Sequence, residues 1–179
     1  TLINHRPNQF KGPNPKEFAK SFSLKIIYLE DLLNASIKEK PEKIIVGGAG
    51  ILSKEIVSNF NIINCHPGLI PMTRGLDSFK WAIYNKQRLG VTIHKIDENI
   101  DKGKIIHHKY TEIKSSDNLT SLAKRHYQNE IDTLCKYING KLKLNVFKDL
   151  TEESSFMRMP NAKELILEEK FQEYKKLFE

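Results

Sequence analysis

The chain has 179 residues, of which 39% are hydrophobic and 28% charged, a composition typical of one domain with a hydrophobic core. It contains no apolar run long enough for a membrane span or a secretory signal, so we expect a cytoplasmic protein without membrane insertion. The two cysteines, Cys65 and Cys135, lie far apart and form no CxxC pair, which disfavours a disulfide framework and a zinc site.

The net charge of +7 fits either an anionic small-molecule substrate or a lysine-rich composition. The lysines are spread along the chain without an arginine and aromatic stripe, so nucleic acid is not the favoured partner. An RNA-binding module that relies on charge alone stays an alternative.

The first half of the chain predicts an α/β fold. Thr1–Asn4 is typical of a strand end that enters a loop, and no Met precedes it. Lys43–Val46 and the pair Ile62 and Ile63 are branched and apolar, which is the pattern of short strands buried on both faces of a parallel sheet.

Asn64 and His66 follow that second strand directly. Their spacing of two places both side chains on one face, whereas Cys65 points to the other face, and Pro67 with Gly68 ends the strand. Open α/β sheets bind ligands at the carboxyl ends of their parallel strands. An active site is therefore one interpretation, and an Asn and a His that merely cap a loop is the other.

Other residues invite chemical interpretations that the pattern does not favour. Strand alternation points Cys65 away from His66, which argues against a covalent mechanism. The glycines at positions 47, 48 and 50 match neither G-x-G-x-x-G nor a P-loop, and an ordinary strand-to-helix turn is their alternative. Three histidines fall on predicted strands without a firm third metal ligand, so we expect polar core histidines and no metal. These are His94, His107 and His108.

Gly90–Ile106 reads as an alternating strand, a polar turn with Asp101, and a second apolar pair. Apolar periodicity predicts a helix over Asp117–Asn139 and a short strand over Lys141–Phe147. A capping box of Asn161 and Glu164 predicts the start of a final helix. Its apolar stripe favours core packing or a subunit contact, which leaves a homodimer open. The domain division predicted is a core over 1–147 and a helical extension over 148–179.

The segment INCHPGLIP, followed by a Gly-Val-Thr strand and a late Asp-x-Gly, resembles the folate-dependent formyltransferase superfamily. That family includes glycinamide ribonucleotide, methionyl-tRNA and sugar-nucleotide N-formyltransferases, and the resemblance covers about Ile44–Ile106. It implies a Rossmann-like parallel-sheet core with helices on both faces. Such enzymes open with a βαβ portion, which we expect to be missing in front of Thr1.

The resemblance also implies site residues. Asn64, His66 and Asp101 match the catalytic groups, and the cosubstrate would be 10-formyltetrahydrofolate, with no metal. Asn and His would stabilise the negative charge that develops on the formyl oxygen, and the Asp would assist proton transfer. Main-chain groups of the strand-end loop and of the polar turn would bind the pterin. These are Ala49, Gly50 and Leu52, and Asp97, Glu98 and Asn99.

The acceptor expected is an amino sugar, carried on a nucleotide diphosphate. Arg74 with Gly75 after the Pro71 loop resembles the sugar and tRNA branches, and Arg74 is the candidate substrate-binding residue. Because 78 residues follow Asp101, a tRNA substrate is not favoured. Polyglutamylated folate and a diphosphate are both polyanions that a basic protein attracts. Phosphoribosylglycinamide formylation, hydrolysis of the formyl folate, and non-catalytic folate or nucleotide binding stay alternatives.

Overall fold

The computed structural model describes residues 3–6, 12–33, 41–99, 101–145 and 155–178. Four strands and six α-helices form over these residues, with a short 3-10 helix at Leu29–Asp31. The strands are β1 (Ile44–Val46), β2 (Ile62–His66), β3 (Gly90–Lys95) and β4 (Ile105–Tyr110). The helices are α1 (Pro15–Ser21), α2 (Lys54–Asn59), α3 (Ser78–Tyr84), α4 (Leu119–Ile138), α5 (Asn161–Leu165) and α6 (Leu167–Phe178).

The four strands form one mixed sheet in the order β1-β2-β3-β4. β1 and β2 pair in parallel, with Ile44 opposite Ile62, as their branched sequences predicted. β3 pairs antiparallel with β2 after the long connection that contains α3. β4 pairs antiparallel with β3, because the short connection between them reverses the chain without a crossover helix. The α/β class is confirmed, and the part of the sheet that carries β3 and β4 is not parallel.

Helices cover both faces of the sheet, as the branched strands predicted. Ile62 faces α2 and is buried with Ile56 and Phe60, whereas Ile63 faces the other side and belongs to a cluster against which Leu134 of α4 packs. Adjacent residues of β2 thus serve two different clusters, which is the period-two pattern of a strand buried on both faces. Asn64 and His66 are therefore carried on a strand that is fixed from both sides.

The largest core cluster joins α3, α4 and α6. Phe79, Leu122, Phe171 and Tyr174 are each no more than 1% exposed. Full burial of a large apolar side chain contributes roughly 1.5–3 kcal/mol. The predicted stripe of the last helix therefore packs in the core, and a homodimer stays a prediction.

The carboxyl-terminal third departs from the sequence predictions in two places. No strand forms over residues 141–145, where Asn145 O accepts one hydrogen bond from His108 N; residues 146 and 147 of that predicted strand lie outside the described residues. The capping box of Asn161 and Glu164 is wrong, because Pro160 is the N-cap without a side-chain bond. Glu164 is instead buried against Lys80.

Of two further predicted elements, the helix forms close to its expected bounds and the strand end does not form in the residues described. The helix predicted over Asp117–Asn139 is α4, and Asn118 with Ser121 makes a reciprocal capping box at its start. Of the strand end predicted over Thr1–Asn4, residues 1 and 2 lie outside the described residues, and residues 3 and 4 form no strand. In the part of the chain that the structure describes, no helix has the length and apolar character needed to cross a bilayer.

Candidate active site

Strand alternation positions the predicted groups of β2 as expected. Asn64 and His66 face the same side, and Cys65 faces α4, where its Sγ lies 3.6 Å from Glu130 O. Burial raises the pKa of the Cys65 thiol well above its ordinary value. A protonated, 4% exposed thiol on the opposite face cannot act as a nucleophile toward a substrate beside His66.

His66 has an acceptor at each ring nitrogen. Its Nε2 lies 2.7 Å from Thr73 O, and since a carbonyl oxygen only accepts, Nε2 carries a hydrogen and donates it. Its Nδ1 lies 3.5 Å from Asp101 Oδ2. Both ring nitrogens of His66 therefore face an oxygen acceptor.

Asp101 joins the site from the loop between β3 and β4. Its backbone has a φ of +50°, in the left-handed region that Asp tolerates better than most residues. Its Oδ2 accepts a hydrogen bond of 2.9 Å from Gly75 N, and its side chain is 15% exposed. The three predicted catalytic residues therefore lie together at the end of β2.

His94 is a fourth member of the cluster. It pairs with Asn64 across β2 and β3, and its Nε2 lies 3.2 Å from Asn64 Nδ2 and 3.7 Å from Asp101 Oδ1. Burial lowers the pKa of His94 to about 4, with a smaller lowering by His66 and an opposing effect of Asp101. A neutral His94 can accept the amide hydrogen of Asn64 and orient that side chain. The sequence favoured a polar core histidine here, and only the strand register reveals the contact.

A second layer supports the turn after His66. His126 of α4 lies with Nε2 3.1 Å from Pro67 O and Nδ1 2.8 Å from Thr111 Oγ1. Burial lowers the pKa of His126 to about 4, so the ring is neutral, donates to the carbonyl and accepts from the hydroxyl. Ser78 Oγ donates to the same carbonyl. Sequence analysis missed His126, because nothing in a helical repeat indicates which strand end it will contact.

Arg74 precedes Gly75 in the loop that carries the bond to Asp101. Arg74 is 6% exposed, and its carbonyl oxygen accepts from Phe156 N at 2.9 Å. A direct contact between this side chain and a substrate stays a prediction.

The loop after β1 borders a concave pocket of about 190 Å³. Ala49 and Leu52 line it, and the predicted residue Gly50 lies between them in the chain. The remaining lining residues come from the 3-10 helix and the residue after it, from β1 and the loop after it, and from α2 and β2: Leu29, Leu32, Ile44, Ile45, Val46, Gly47, Gly48, Ile56 and Ile62. No atom lies within 4 Å of where a Cβ would stand on Gly47, Gly48 or Gly50, so a planar ring can approach the backbone there.

The predicted pterin-binding turn lies on the same side of the molecule. Asp97 Oδ1 accepts from Asn99 N at 2.8 Å, and Glu98 forms a 2.8 Å ion pair with Lys54 at the start of α2. Ile96 packs in the same apolar cluster as Leu52. A pocket with apolar walls and main-chain hydrogen-bonding groups at its rim suits a pterin ring.

A metal site gains no support from the described residues. No group of three or more His, Cys, Asp or Glu side chains among them could hold a metal ion. His107 pairs with Ile93 and His108 with Thr92, so the two histidines point to opposite faces of β4.

Comparison with known proteins identifies the family of the chain. A family model described as "Formyl transferase" matches residues 5–138, a segment that holds all four clustered residues. The chain belongs to this family. It is 33% identical over 123 residues to a methionyl-tRNA formyltransferase of Caldicellulosiruptor saccharolyticus, covering 63% of this chain and 40% of the relative. The chain thus spans well under half the length of such curated relatives.

Solved structures give the same family. A sugar N-formyltransferase from a Shewanella species superposes with a TM-score of 0.57 at 29% identity, covering 76% of this chain and 57% of that one. The phosphoribosylglycinamide formyltransferase of Campylobacter jejuni gives a TM-score of 0.60 at 26% identity, covering 69% and 72%. Relatives with three different acceptors therefore share this fold.

Proposed function

We propose that the protein transfers a formyl group from 10-formyltetrahydrofolate to a primary amine. The observation that carries this proposal is the convergence of Asn64, His66 and Asp101 at the end of β2, with Asp101 Oδ2 3.5 Å from His66 Nδ1. An amide, an imidazole and a carboxylate supply the donors and the proton acceptor that acyl transfer to an amine needs.

In this reaction the amine nitrogen attacks the formyl carbon. Negative charge develops on the formyl oxygen, where the Asn64 amide and the His66 ring donate hydrogen bonds. The bond between the formyl carbon and N10 of folate then breaks. The amine loses one proton to Asp101, directly or through water, and the same proton passes on to N10, so that the reaction balances.

The geometry adds one condition to this scheme. Both ring nitrogens of His66 already face acceptors, so the formyl oxygen has to replace one of them. The contact to Thr73 O at 2.7 Å is shorter than the contact to Asp101 at 3.5 Å. We therefore expect substrate to open the Asp101 contact, which also frees that carboxylate for proton transfer.

The pocket beside β1 is the proposed pterin site. Its branched apolar walls would contact the faces of the ring, and the open backbone at Gly47, Gly48 and Gly50 would supply hydrogen bonds to its edge. The turn Asp97–Asn99 would close the same site through main-chain groups. The role of these residues rests on the family resemblance and, for Ala49 and Leu52, also on their location in the pocket.

The acceptor that we propose is an amino sugar linked to a nucleotide. The Arg74 and Gly75 pair supports it, as does the 29% identity with a sugar N-formyltransferase over 76% of this chain. Methionyl-tRNA is the second candidate, because the relative that is 33% identical over 123 residues is named a methionyl-tRNA formyltransferase.

The test is absorbance-followed turnover of 10-formyltetrahydrofolate with the full-length protein. Nucleotide-linked amino sugars, glycinamide ribonucleotide, methionyl-tRNA and a reaction without acceptor are compared. We expect turnover with an amino sugar, a loss of about 10²–10³-fold in Asn64→Ala and His66→Ala, and a similar loss in Asp101→Asn. His107→Gln is the matched control, since it changes a buried histidine on the opposite sheet face.

The alternative outcomes identify the other candidates. Turnover with methionyl-tRNA alone would assign the second acceptor. Formate release without any amine would mean hydrolysis of the formyl folate. Folate binding without turnover under every condition would make the protein a binder and would refute the enzymatic proposal.

A further inference from the structure

A segment near the carboxyl end contacts the loop that holds the Asp101 carboxylate. We call this segment, Ser155–Pro160, the C-terminal strap. Phe156 forms a parallel bridge with Gly75: Phe156 N donates to Arg74 O, and Leu76 N donates to Phe156 O, each at 2.9 Å. These two bonds fix the peptide units on either side of Gly75.

Gly75 in turn fixes Asp101. Its N–H donates to Asp101 Oδ2 at 2.9 Å, which is shorter than the contacts from that carboxylate to His66, at 3.5 Å, and to His94, at 3.7 Å. A backbone donor aimed at a carboxylate is a charge-assisted hydrogen bond, about twice as strong as a neutral one. The orientation of the Gly75 peptide therefore sets the position of the carboxylate.

Side chains of α3 and of its N-cap residue hold the strap in place. The Phe156 ring stacks on Trp81 with centroids 4.8 Å apart and planes at 17°, and Trp81 Nε1 donates to Met157 O at 2.8 Å. At the far end of the strap, Met159 is buried and its N–H donates to Asp77 Oδ2 at 3.0 Å. The strap is anchored by contacts that lie outside the catalytic cluster.

The backbone of Gly75 is shaped to this arrangement. Its φ is +89°, and a Cβ added there would lie 2.2 Å from Phe156 O and 2.5 Å from Ser155 Oγ. Any larger residue would have to displace either the strap or the loop. The glycine and the strap are therefore structurally coupled.

We infer that the C-terminal strap acts through Gly75 to position the Asp101 carboxylate, so that Phe156 and Trp81 are positioning residues for the reaction. The inference rests on the proposed formyl transfer, in which Asp101 receives the proton of the amine. The strap contributes no reacting atom. It reaches Asp101 through one backbone hydrogen bond and leaves the pterin pocket beside β1 untouched.

The first test separates kcat from KM in the full-length protein. Phe156→Ala removes the stacked ring and Gly75→Ala forces the loop and strap apart. We expect each to lower kcat roughly 10- to 100-fold, since small displacements of a reacting group can cost about 10²-fold, while KM for 10-formyltetrahydrofolate stays close to wild type. Phe156→Tyr keeps the ring and should restore kcat.

The double variant tests whether both changes act by one route. If the strap works through Gly75, Phe156→Ala combined with Gly75→Ala loses about as much kcat as either change alone. Phe171→Leu is the control for lost stability, because it removes a fully buried ring of α6 outside this chain of contacts. Its kcat should stay near wild type at temperatures where all variants are folded.

Amide hydrogen exchange gives a readout that does not depend on turnover. Phe156→Ala should speed exchange over Arg74–Leu76 and leave β3 protected, whereas Phe171→Leu should not speed exchange over Arg74–Leu76. Unchanged exchange there, unchanged kcat in Phe156→Ala, or losses that multiply in the double variant would each overturn the inference. A wild type that is inactive with every acceptor would refute the proposed function instead, and the exchange result would still report whether the strap orders the loop.

Discussion

Replacement of His126 by Gln should produce a stability change that depends strongly on pH. His126 donates to Pro67 O, accepts from Thr111 Oγ1 and packs on Phe79 with centroids 5.6 Å apart. At pH 7.5 a glutamine side chain cannot reproduce the geometry of these two buried hydrogen bonds, so both are weakened or lost. Since each partner keeps a second contact, from Ser78 to Pro67 O and from Asn129 to Thr111 Oγ1, we expect a cost of about 1–3 kcal/mol.

The pH dependence arises because His126 binds a proton less readily in the folded state than in the unfolded state. Burial lowers the pKa of His126 to about 4, partly opposed by the Pro67 carbonyl, whereas an unfolded histidine has a pKa of about 6.5. Between these values the unfolded state binds one more proton, so the stability contributed by His126 falls as the pH falls. From pH 7.5 to 4.5 the loss is about two pKa units, or roughly 2.7 kcal/mol.

A glutamine side chain does not titrate, so the substituted protein lacks this pH-dependent contribution. The difference in unfolding free energy between wild type and His126→Gln should therefore shrink by roughly 2–3 kcal/mol between pH 7.5 and 4.5, and the two proteins should be close to equal in stability at the acid end. Urea unfolding at four pH values measures the difference, and the other titrating groups cancel because both proteins contain them. Leu122→Ala, in the same core, should lose a constant amount at every pH. A His126→Gln difference that is equally constant would refute the neutral, buried state of the ring.

Three further predictions concern other parts of the fold. Glu164→Gln should lower the unfolding free energy by about 3–5 kcal/mol in urea titrations, because it leaves the fully buried Lys80 ammonium without its closest carboxylate; an unchanged midpoint would contradict this. Asp117→Asn should remove roughly 1–2 kcal/mol at pH 7 but little near pH 2, since hydrogen bonds from Arg125 and the backbone outweigh burial and lower the pKa of Asp117 to about 2. Gly103→Ala should lower kcat and stability together, because its Cβ would collide with a main-chain oxygen of β3; wild-type values in melting and turnover assays would show that the loop can shift.

Sequence patterns alone predicted that Asn64 and His66 lie together on one strand face. The proximity of Asp101 was predicted only from the family resemblance. Period-two alternation was enough to place Asn64 and His66 on one face, because the side-chain direction of a strand residue is a local property. Asp101 has no such signal: it lies at a φ of +50° in a turn whose path depends on distant contacts. Its proximity to His66 was expected only because the segment resembles a known family.

The predictions for His94 and Glu164 missed their contacts for the same physical reason: the position of each side chain depends on partners far along the chain. His94 enters the site through the antiparallel register of β2 and β3, which a single strand pattern does not encode. Glu164 fits the spacing of a capping box, yet it is buried with the Lys80 ammonium, and pairing a buried charge outweighs a local cap that contributes about 1 kcal/mol. Tertiary contacts thus override local signals most strongly where charges are buried.

The site consequently combines two kinds of positioning. Asn64, His66 and His94 are held by strand register and by helices on both sheet faces, so moving them requires disruption of the core. Asp101 is held by one short backbone bond from a loop that is itself held by the C-terminal strap, and such a chain of contacts can loosen while the sheet stays intact. Substitutions in the strap should therefore impair proton transfer before they unfold the protein, whereas substitutions beneath β2 should lose stability and activity together.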